Sequence, residues 1–236
     1  MNLLLFSTQD RIDSNRIRIT DFRLRHLHEV IESAEGDSLR VGEIDGLMGY
    51  GEIIKLAADE AVLQVELTKQ PPQKVPLQII LALPRPKMLR RILRTVAELG
   101  VAELHLINSN RVEKSFWQTP VLDSEVVEDY FLQGLMQSRD TLLPELHIHK
   151  RFKPFVEDTL PGLIENRNAL LAHPGDFPAC PAGMEVPTTL AIGPEGGFIP
   201  YEVEKLQQTG FTTVSLGPRI LRVENAVSAL VARLSI

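Results

Sequence analysis

The stretch Gln70-Pro-Pro-Gln-Lys-Val-Pro76 divides the chain into two regions with different hydrophobic rhythms. Its prolines remove backbone donors and favour an extended path, so it reads as a stiff interdomain linker over 71–76. Before it, short apolar runs recur at Leu3–Phe6, Arg16–Ile19, Leu39–Ile44, Gly51–Leu56 and Ala61–Leu67, with turns at Gly36-Asp37 and Asp45-Gly46. One helix interrupts them, from a cap at Asp21 to about Ser33, with Phe22, Leu24, Leu27, Val30 and Ile31 as its apolar positions. A small β-barrel with one helix is the natural closure for such strands. After the linker the rhythm becomes strand–helix alternation, which predicts a parallel α/β sheet. Strands are expected at Leu77–Leu83, Glu103–Ile107, Leu146–His149, Ala169–Ala172, Thr188–Ile192 and Thr212–Ser215. Helices are expected at Lys87–Leu99, Asp123–Gln137, Phe155–Ile164, Tyr201–Gln208 and Glu224–Ile236.

A chain of 236 residues is one large domain or two small ones, ample for a real core. Met1-Asn-Leu-Leu-Leu-Phe6 is apolar but lacks a basic start and a cleavage site, so it reads as a first strand rather than a signal peptide. The single Cys180 excludes an internal disulfide, fits a reducing, cytoplasmic setting and has no redox motif around it. The net charge of −6 argues mildly against nucleic acid, but local basic clusters oppose that. Arg11, Arg16, Arg18, Arg23 and Arg25 form one; Arg85, Lys87, Arg90, Arg91 and Arg94 form another. Screening confines fields to about 10 Å, so such stripes can hold phosphates on an acidic protein; a merely solvated face is the plainer reading.

The last strands all run into Gly- or Pro-bearing loops: Leu171-Ala-His-Pro174, Ile192-Gly-Pro-Glu-Gly-Gly197 and Leu216-Gly-Pro-Arg219. Glycine allows close backbone approach and proline fixes the loop, so main-chain groups at these strand ends can read a small ligand. Any one of these is better explained by a tight turn; three in succession on one sheet edge favour a binding site. Gly193–Gly197 lacks the Lys-Ser/Thr of a phosphate-binding P-loop, and no G-x-G-x-x-G follows a strand. His147-x-His149 has no third ligand nearby in sequence, so a surface histidine pair is expected and no metal.

Two runs, Leu190-Ala-Ile-Gly-Pro-Glu-Gly-Gly-Phe198 and Leu216-Gly-Pro-Arg-Ile-Leu-Arg-Val-Glu-Asn-Ala226, resemble the signatures of the small-subunit (16S) ribosomal RNA uridine N3-methyltransferase family, within the SPOUT superfamily. Lys87-Met88 with Ala97-Glu-Leu-Gly-Val101, Gln137-Ser-Arg139 ahead of Leu143-Pro144, and Leu171-Ala-His-Pro174 support the resemblance, which covers most of the chain. It implies an RNA-binding PUA-like barrel over 1–70 and a trefoil-knotted methyltransferase domain over 77–236, paired as a homodimer. It implies S-adenosylmethionine as cofactor, held by Leu171, Ala172, His173, Gly193, Pro194, Glu195, Gly196, Gly197, Leu216, Gly217, Ile220 and Leu221. The substrate would be 16S ribosomal RNA, free or in the assembled small subunit.

Arg222 is the first candidate to stabilise a uridine anion, Arg219 the second, and Glu224 could orient Arg222 or take a proton. Arg16, Arg18, Arg23, Arg25, Lys87, Arg90 and Arg91 are the candidate RNA contacts. The family's usual Thr-Glu-Thr-Ala is Val223-Glu-Asn-Ala226 here, which leaves two alternatives open: a knotted methyltransferase for another RNA site, or a non-catalytic ribosome-binding or assembly protein.

Overall fold

Arg16–Ile19 and most of Met48–Leu56 alternate buried and exposed residues, so their sheet has a wet face and a dry one. The computed structural model describes residues 2–235; Met1 and Ile236, the ends of the expected front domain and closing helix, lie outside the described residues. The chain forms two compact units, 1–73 with 132–143, and 74–131 with 144–236.

In the first unit, β1 (Leu4–Phe6), β2 (Arg16–Ile19), β3 (Ser38–Glu43), β4 (Met48–Leu56) and β5 (Ala61–Lys69) form one sheet in the order β1-β3-β4-β5-β2. β1 runs parallel to β3 and the other pairs are antiparallel. Among the described residues the outer strands β1 and β2 do not pair, so the expected closed barrel is a half-barrel. Its dry face packs Phe6, Ile17, Ile19, Val41, Ile53 and Leu63 with Leu24 and Leu27 of α1 (Phe22–Glu29). Asp21 caps α1 through the Arg23 N–H, but the helix stops four residues short of Ser33. Phe22, Val30 and Ile31, expected on its apolar face, are exposed. The segment 132–143 belongs to this unit through main-chain bonds: Asn2 and Leu3 N–H groups donate to Met136 O, and Asp45 N–H to Thr141 O. The Thr141 hydroxyl donates to Gly46 O at 2.6 Å.

The second unit is a six-stranded, all-parallel sheet in the order β11-β9-β10-β6-β7-β8. Its strands are β6 (Val75–Ala82), β7 (Val101–Ile107), β8 (Glu145–His149), β9 (Asn168–Ala172), β10 (Thr188–Ile192) and β11 (Thr212–Val214). Helices α2 (Pro86–Glu98), α6 (Pro200–Thr209) and α7 (Val223–Ser235) alternate with them, as does α3 (Ser124–Ser138), whose last turns belong to the first unit. After β8 the chain winds through α4 (Phe152–Pro154), a π-helical Phe155–Thr159 and α5 (Leu160–Leu163). The continuous apolar runs of β6 and β10 are buried on both faces, as parallel strands require. α2 starts at Pro86, whose fixed φ suits a first helical turn, and ends before Gly100 at φ +69°. Leu89, Ile92, Leu93, Val96 and Ala97 are its buried face; Lys87, Arg90 and Arg91 are exposed.

Apolar strands specify their register weakly, and this sheet carries buried polar pins. The Gln78 amide on β6 donates to the Thr189 hydroxyl on β10 at 2.6 Å and to Leu163 O at 2.6 Å. The Arg167 guanidinium donates to the same hydroxyl and to Thr188 O. Gln78, Thr188 and Thr189 are buried, so mispairing would strand these groups without partners.

Arg23, expected to contact RNA, is instead a structural ion. Its guanidinium donates to Asp10, Asp21 and Leu5 O, with its side chain only 12% exposed. Burial disfavours its charge, but hydrogen bonds and the charges of Asp10 and Asp21 outweigh this and raise its pKa. Burial likewise opposes the Asp21 carboxylate, yet bonds from Arg23 hold its pKa below the ordinary value. Arg23→Ala should destabilise the protein by about 2–4 kcal/mol, while Arg25→Ala at an exposed position should change stability by less than about 0.5 kcal/mol. The Asp21 contribution is present above roughly pH 4 and lost as pH falls through its lowered pKa, so part of the difference between Arg23→Ala and wild type should vanish in acid. Denaturant unfolding of both variants checks this; equal losses would contradict the buried ion pairs.

Candidate functional site

The parallel register decides where the loops emerge. Ala172 at the end of β9 pairs with Ile192 of β10 and with Val214 of β11, so these strand ends lie level. Ile192 pairs in turn with Leu81 of β6. His173, Gly193 and Ser215 therefore begin their loops side by side, and all three loops border one cavity of about 650 Å³.

The middle loop is held firmly. Gly193 and Pro194 are buried, and a Cβ on Gly193 would meet Phe198 N at 3.0 Å and Gly197 Cα at 3.2 Å. Gly197 adopts φ +71° and its N–H donates to Pro194 O at 2.7 Å. The Glu195 carboxylate accepts from the Arg85 N–H at 2.9 Å, which ties this loop to the start of α2. The Arg111 guanidinium donates to Gly196 O, and a Cβ on Gly196 would press on the Arg111 chain at 2.9 Å. Arg111 is itself placed by buried Glu202, whose carboxylate accepts from Asn110 N–H at 2.7 Å and Ile199 N–H at 3.0 Å.

The third loop is open. Residues 216–222 are all exposed, Ile220 to 82%, and Gly217 turns the chain at φ +101°. Behind it, Ser215 pairs with Ala179, Cys180 N–H donates to Ser215 O, and the Arg233 guanidinium donates to Cys180 O. Cys180 is fully buried and its thiol pKa is raised by that burial.

Most of the expected cofactor residues line the cavity: Ala172, His173, Gly193, Pro194, Glu195, Gly197, Leu216, Gly217, Ile220 and Leu221. Leu171 and Gly196 do not; Leu171 is buried within β9 and Gly196 lies against Arg111. Arg219, Arg222 and Glu224 also line it, as does Lys87. The Glu224 carboxylate lies 3.9 Å from the Arg91 guanidinium, so among the described residues its ion partner is Arg91 rather than Arg222. Arg90 is exposed on α2. In the first unit, Arg16 pairs with Asp13 at 2.6 Å and Arg18 with Glu60 at 3.0 Å, both at the surface, and Arg25 is exposed.

Sequence reading did not place Arg85 or Met88 at the cavity and missed Arg111. Met88 lies in the first turn of α2, and Arg85 sits before it on a fourth loop, Leu83-Pro-Arg-Pro86, which leaves β6 beside β10. Its prolines follow an apolar strand in the same way as the later loops, and that was the available signal. Nothing in the local sequence marks Arg111, which reaches Gly196 across 85 residues. Burial lowers the His173 pKa, and the Arg111 charge adds to this.

The cavity is walled by apolar Ile192, Leu216, Ile220, Leu221 and Leu230 and rimmed by four cations against two carboxylates. That suits a ligand with a flat apolar part, main-chain hydrogen bonding and an anionic neighbour.

Ribosomal RNA small subunit methyltransferase E of Treponema pallidum (strain Nichols) is 28% identical over 98% of this chain and 90% of its own length. Ribosomal RNA small subunit methyltransferase E 1 of Borreliella burgdorferi is 23% identical over 97% of this chain and 95% of its own. The fold matches the crystal structure of a ribosomal RNA small subunit methyltransferase E from Neisseria gonorrhoeae bound to S-adenosyl methionine, with a TM-score of 0.73, 19% identity, and coverage of 98% of this chain and 95% of that one. The model of the RNA methyltransferase domain matches residues 71–235, the whole parallel-sheet region that carries the cavity, and the chain belongs to that family.

Proposed function

We propose that this protein is an S-adenosylmethionine-dependent enzyme that methylates N3 of a uridine in the 16S RNA of the small ribosomal subunit. The observation that carries the reading is the convergence of the three Gly/Pro loops on one cavity. In this reading the closing segment is threaded as a trefoil knot, the first unit is a PUA-like RNA-binding module, and the protein works as a cytoplasmic homodimer. The residues present fit the cofactor: a cavity of about 650 Å³, apolar walls, and glycine backbone at Gly193 where a side chain would not fit. Ala172, His173, Gly193, Pro194, Leu216, Gly217, Ile220 and Leu221 would hold it. When bound, it supplies an activated methyl group that passes to a nucleophile as the bonding pair leaves on sulfur.

The chain's own residues then have definite tasks. Uridine N3 lies on the Watson–Crick edge, so the base must be unpaired before it can enter the cavity. Loss of the N3 proton puts negative charge on the flanking carbonyl oxygens, and a cation beside them lowers the barrier. Arg222 takes that role and Arg219 assists, since both line the cavity on the open loop. Glu224, paired with Arg91, holds the start of α7 to α2. Lys87, Arg90 and Arg91 on α2, with Arg16, Arg18 and Arg25 in the first unit, contact RNA phosphates, so binding weakens steeply as salt rises.

Labelled methyl transfer to small-subunit RNA and to assembled subunits, followed by mapping of the modified base, tests the reading. Transfer to a uridine N3 is expected. Transfer to a different RNA would favour the other-site enzyme, and cofactor binding with no transfer would favour the assembly protein. Arg222→Ala should lower the transfer rate by about 10²–10³-fold with little change in cofactor affinity; an unchanged rate would remove Arg222 from the mechanism. His173 also predicts a pH dependence. Its lowered pKa keeps it neutral at pH 7, so its charge arises only as pH falls below about 6.5, where it would repel the sulfonium. Cofactor affinity measured by calorimetry should be level between pH 7 and 8 and weaken on acidification. His173→Asn should flatten that acid limb, and a flat wild-type profile would contradict the assignment.

A further inference from the structure

The side chains of Glu103 and His105 on β7 and of Glu145, His147 and His149 on β8 alternate along their strands. Parallel register pairs Glu103 with Glu145, His105 with His147, and Ile107 with His149, which puts all five on one face of the sheet. The third ligand absent from the local sequence around His147 is therefore supplied by the neighbouring strand. We infer that Glu103, His105 and His147 form a zinc-binding site on this edge of the sheet, separate from the cavity, which none of them lines.

Ligand atoms from the three residues lie within 4.8 Å of one another, and His105 Nε2 is 3.3 Å from a Glu103 carboxylate oxygen. Zinc bonds of 2.0–2.1 Å in a tetrahedron place neighbouring ligands about 3.4 Å apart. The His105 and His147 rings stack with centroids 4.5 Å apart, so His147 must turn to aim a ring nitrogen at the shared point. Its side chain is 40% exposed and has room to do so. His105 is buried, and its Nδ1 lies 3.2 Å from His149 Nε2. With zinc on Nε2, His105 Nδ1–H donates to His149, the outer partner a metal-bound imidazole requires. His149 is wedged against Phe155 at 4.5 Å, which fixes that partner in turn.

Two imidazoles and one carboxylate are zinc ligands of the borderline kind, and water or Glu145, whose carboxylate lies 3.5 Å from His147 Nε2, completes the tetrahedron. Arg167, on the same face of the sheet, is engaged with Thr189 and Thr188 O. Since β8 is the edge strand, the ion would staple it across to β7.

The test titrates zinc chloride into chelator-stripped full-length protein, by calorimetry and by thermal unfolding. One equivalent of zinc per chain and a Tm raised by several degrees are expected. His147→Ala, at a partly exposed position that the fold tolerates, should weaken binding at least tenfold, and His149→Ala by about 10–100-fold through the outer partner. Cobalt(II) in the same site should give the intense visible absorption of tetrahedral coordination in wild type and lose it in His147→Ala. Absence of stoichiometric binding at micromolar zinc, or equal affinity in wild type and His147→Ala, would overturn the site. So would binding that survives His147→Ala and is lost in His173→Asn, which would place the ion at the cavity.

Discussion

Everything at the cavity depends on the register between β6, β10 and β9, and that register is held by few groups. The apolar side chains of these strands, buried on both faces, are nearly interchangeable between neighbouring pairings. The Gln78–Thr189–Arg167 hydrogen bonds are not. A slip of one residue would turn the Gln78 amide and the Thr189 hydroxyl to opposite faces and leave both buried without partners. The pins lie toward the N-terminal ends of the strands, and their consequence appears at the other end, where Ala172, Ile192 and Val214 finish level. The polar network thus converts a weakly specified sheet into a defined row of loop origins.

From that row the loops divide into a rigid half and an open half. The 193–197 loop is braced from two directions, by Arg85 N–H on the Glu195 carboxylate and by Arg111 on Gly196 O. At Gly193 the neighbouring backbone leaves little room for a Cβ, and at Gly196 the Arg111 side chain does. The 216–222 loop is exposed throughout, with Ile220 and Leu221 facing solvent beside the cavity. A ligand lying on the braced half would remove those apolar groups from water, about 25 cal/mol for each Å² covered. A site built this way keeps its recognition geometry in the fixed half and leaves the other half to order on contact.

The arrangement of strands and helices was legible because period and punctuation agree. β6 reads as an unbroken apolar run, and α2 shows the 3.6 spacing between Pro86 and Gly100. The late loops were legible for the same reason, since proline and glycine after a buried strand have few other uses. What escaped was decided by distant pairing. Arg23 looked like one of five similar arginines, and only the fold places it between Asp10 and Asp21. Val30 and Ile31 have helical spacing, yet α1 ends at Glu29 and leaves them in solvent, and Phe22 is exposed on its first turn. The segment 132–143 joins the first unit through backbone bonds, which side-chain pattern does not encode. The histidines of β8 gained their partners from β7, whose register no local spacing reveals.

The start of α7 shows how far the departure at Val223 and Asn225 reaches. Val223 is 5% exposed and sits at the first position of the helix, one residue after the capping position. Valine places an apolar side chain at the cavity wall. The unpaired N–H groups of a helix start still attract negative charge, and Glu224 supplies it in the first turn while lying 3.9 Å from Arg91 on α2. Asn225 faces solvent and keeps a hydrogen-bonding side chain. The carboxylate that serves this helix end is common to Val223-Glu-Asn-Ala226 and the Thr-Glu-Thr-Ala run, so the change removes two hydroxyls without removing it. Arg222, immediately before the helix, lines the cavity. Its position follows from the chain path between β11 and α7.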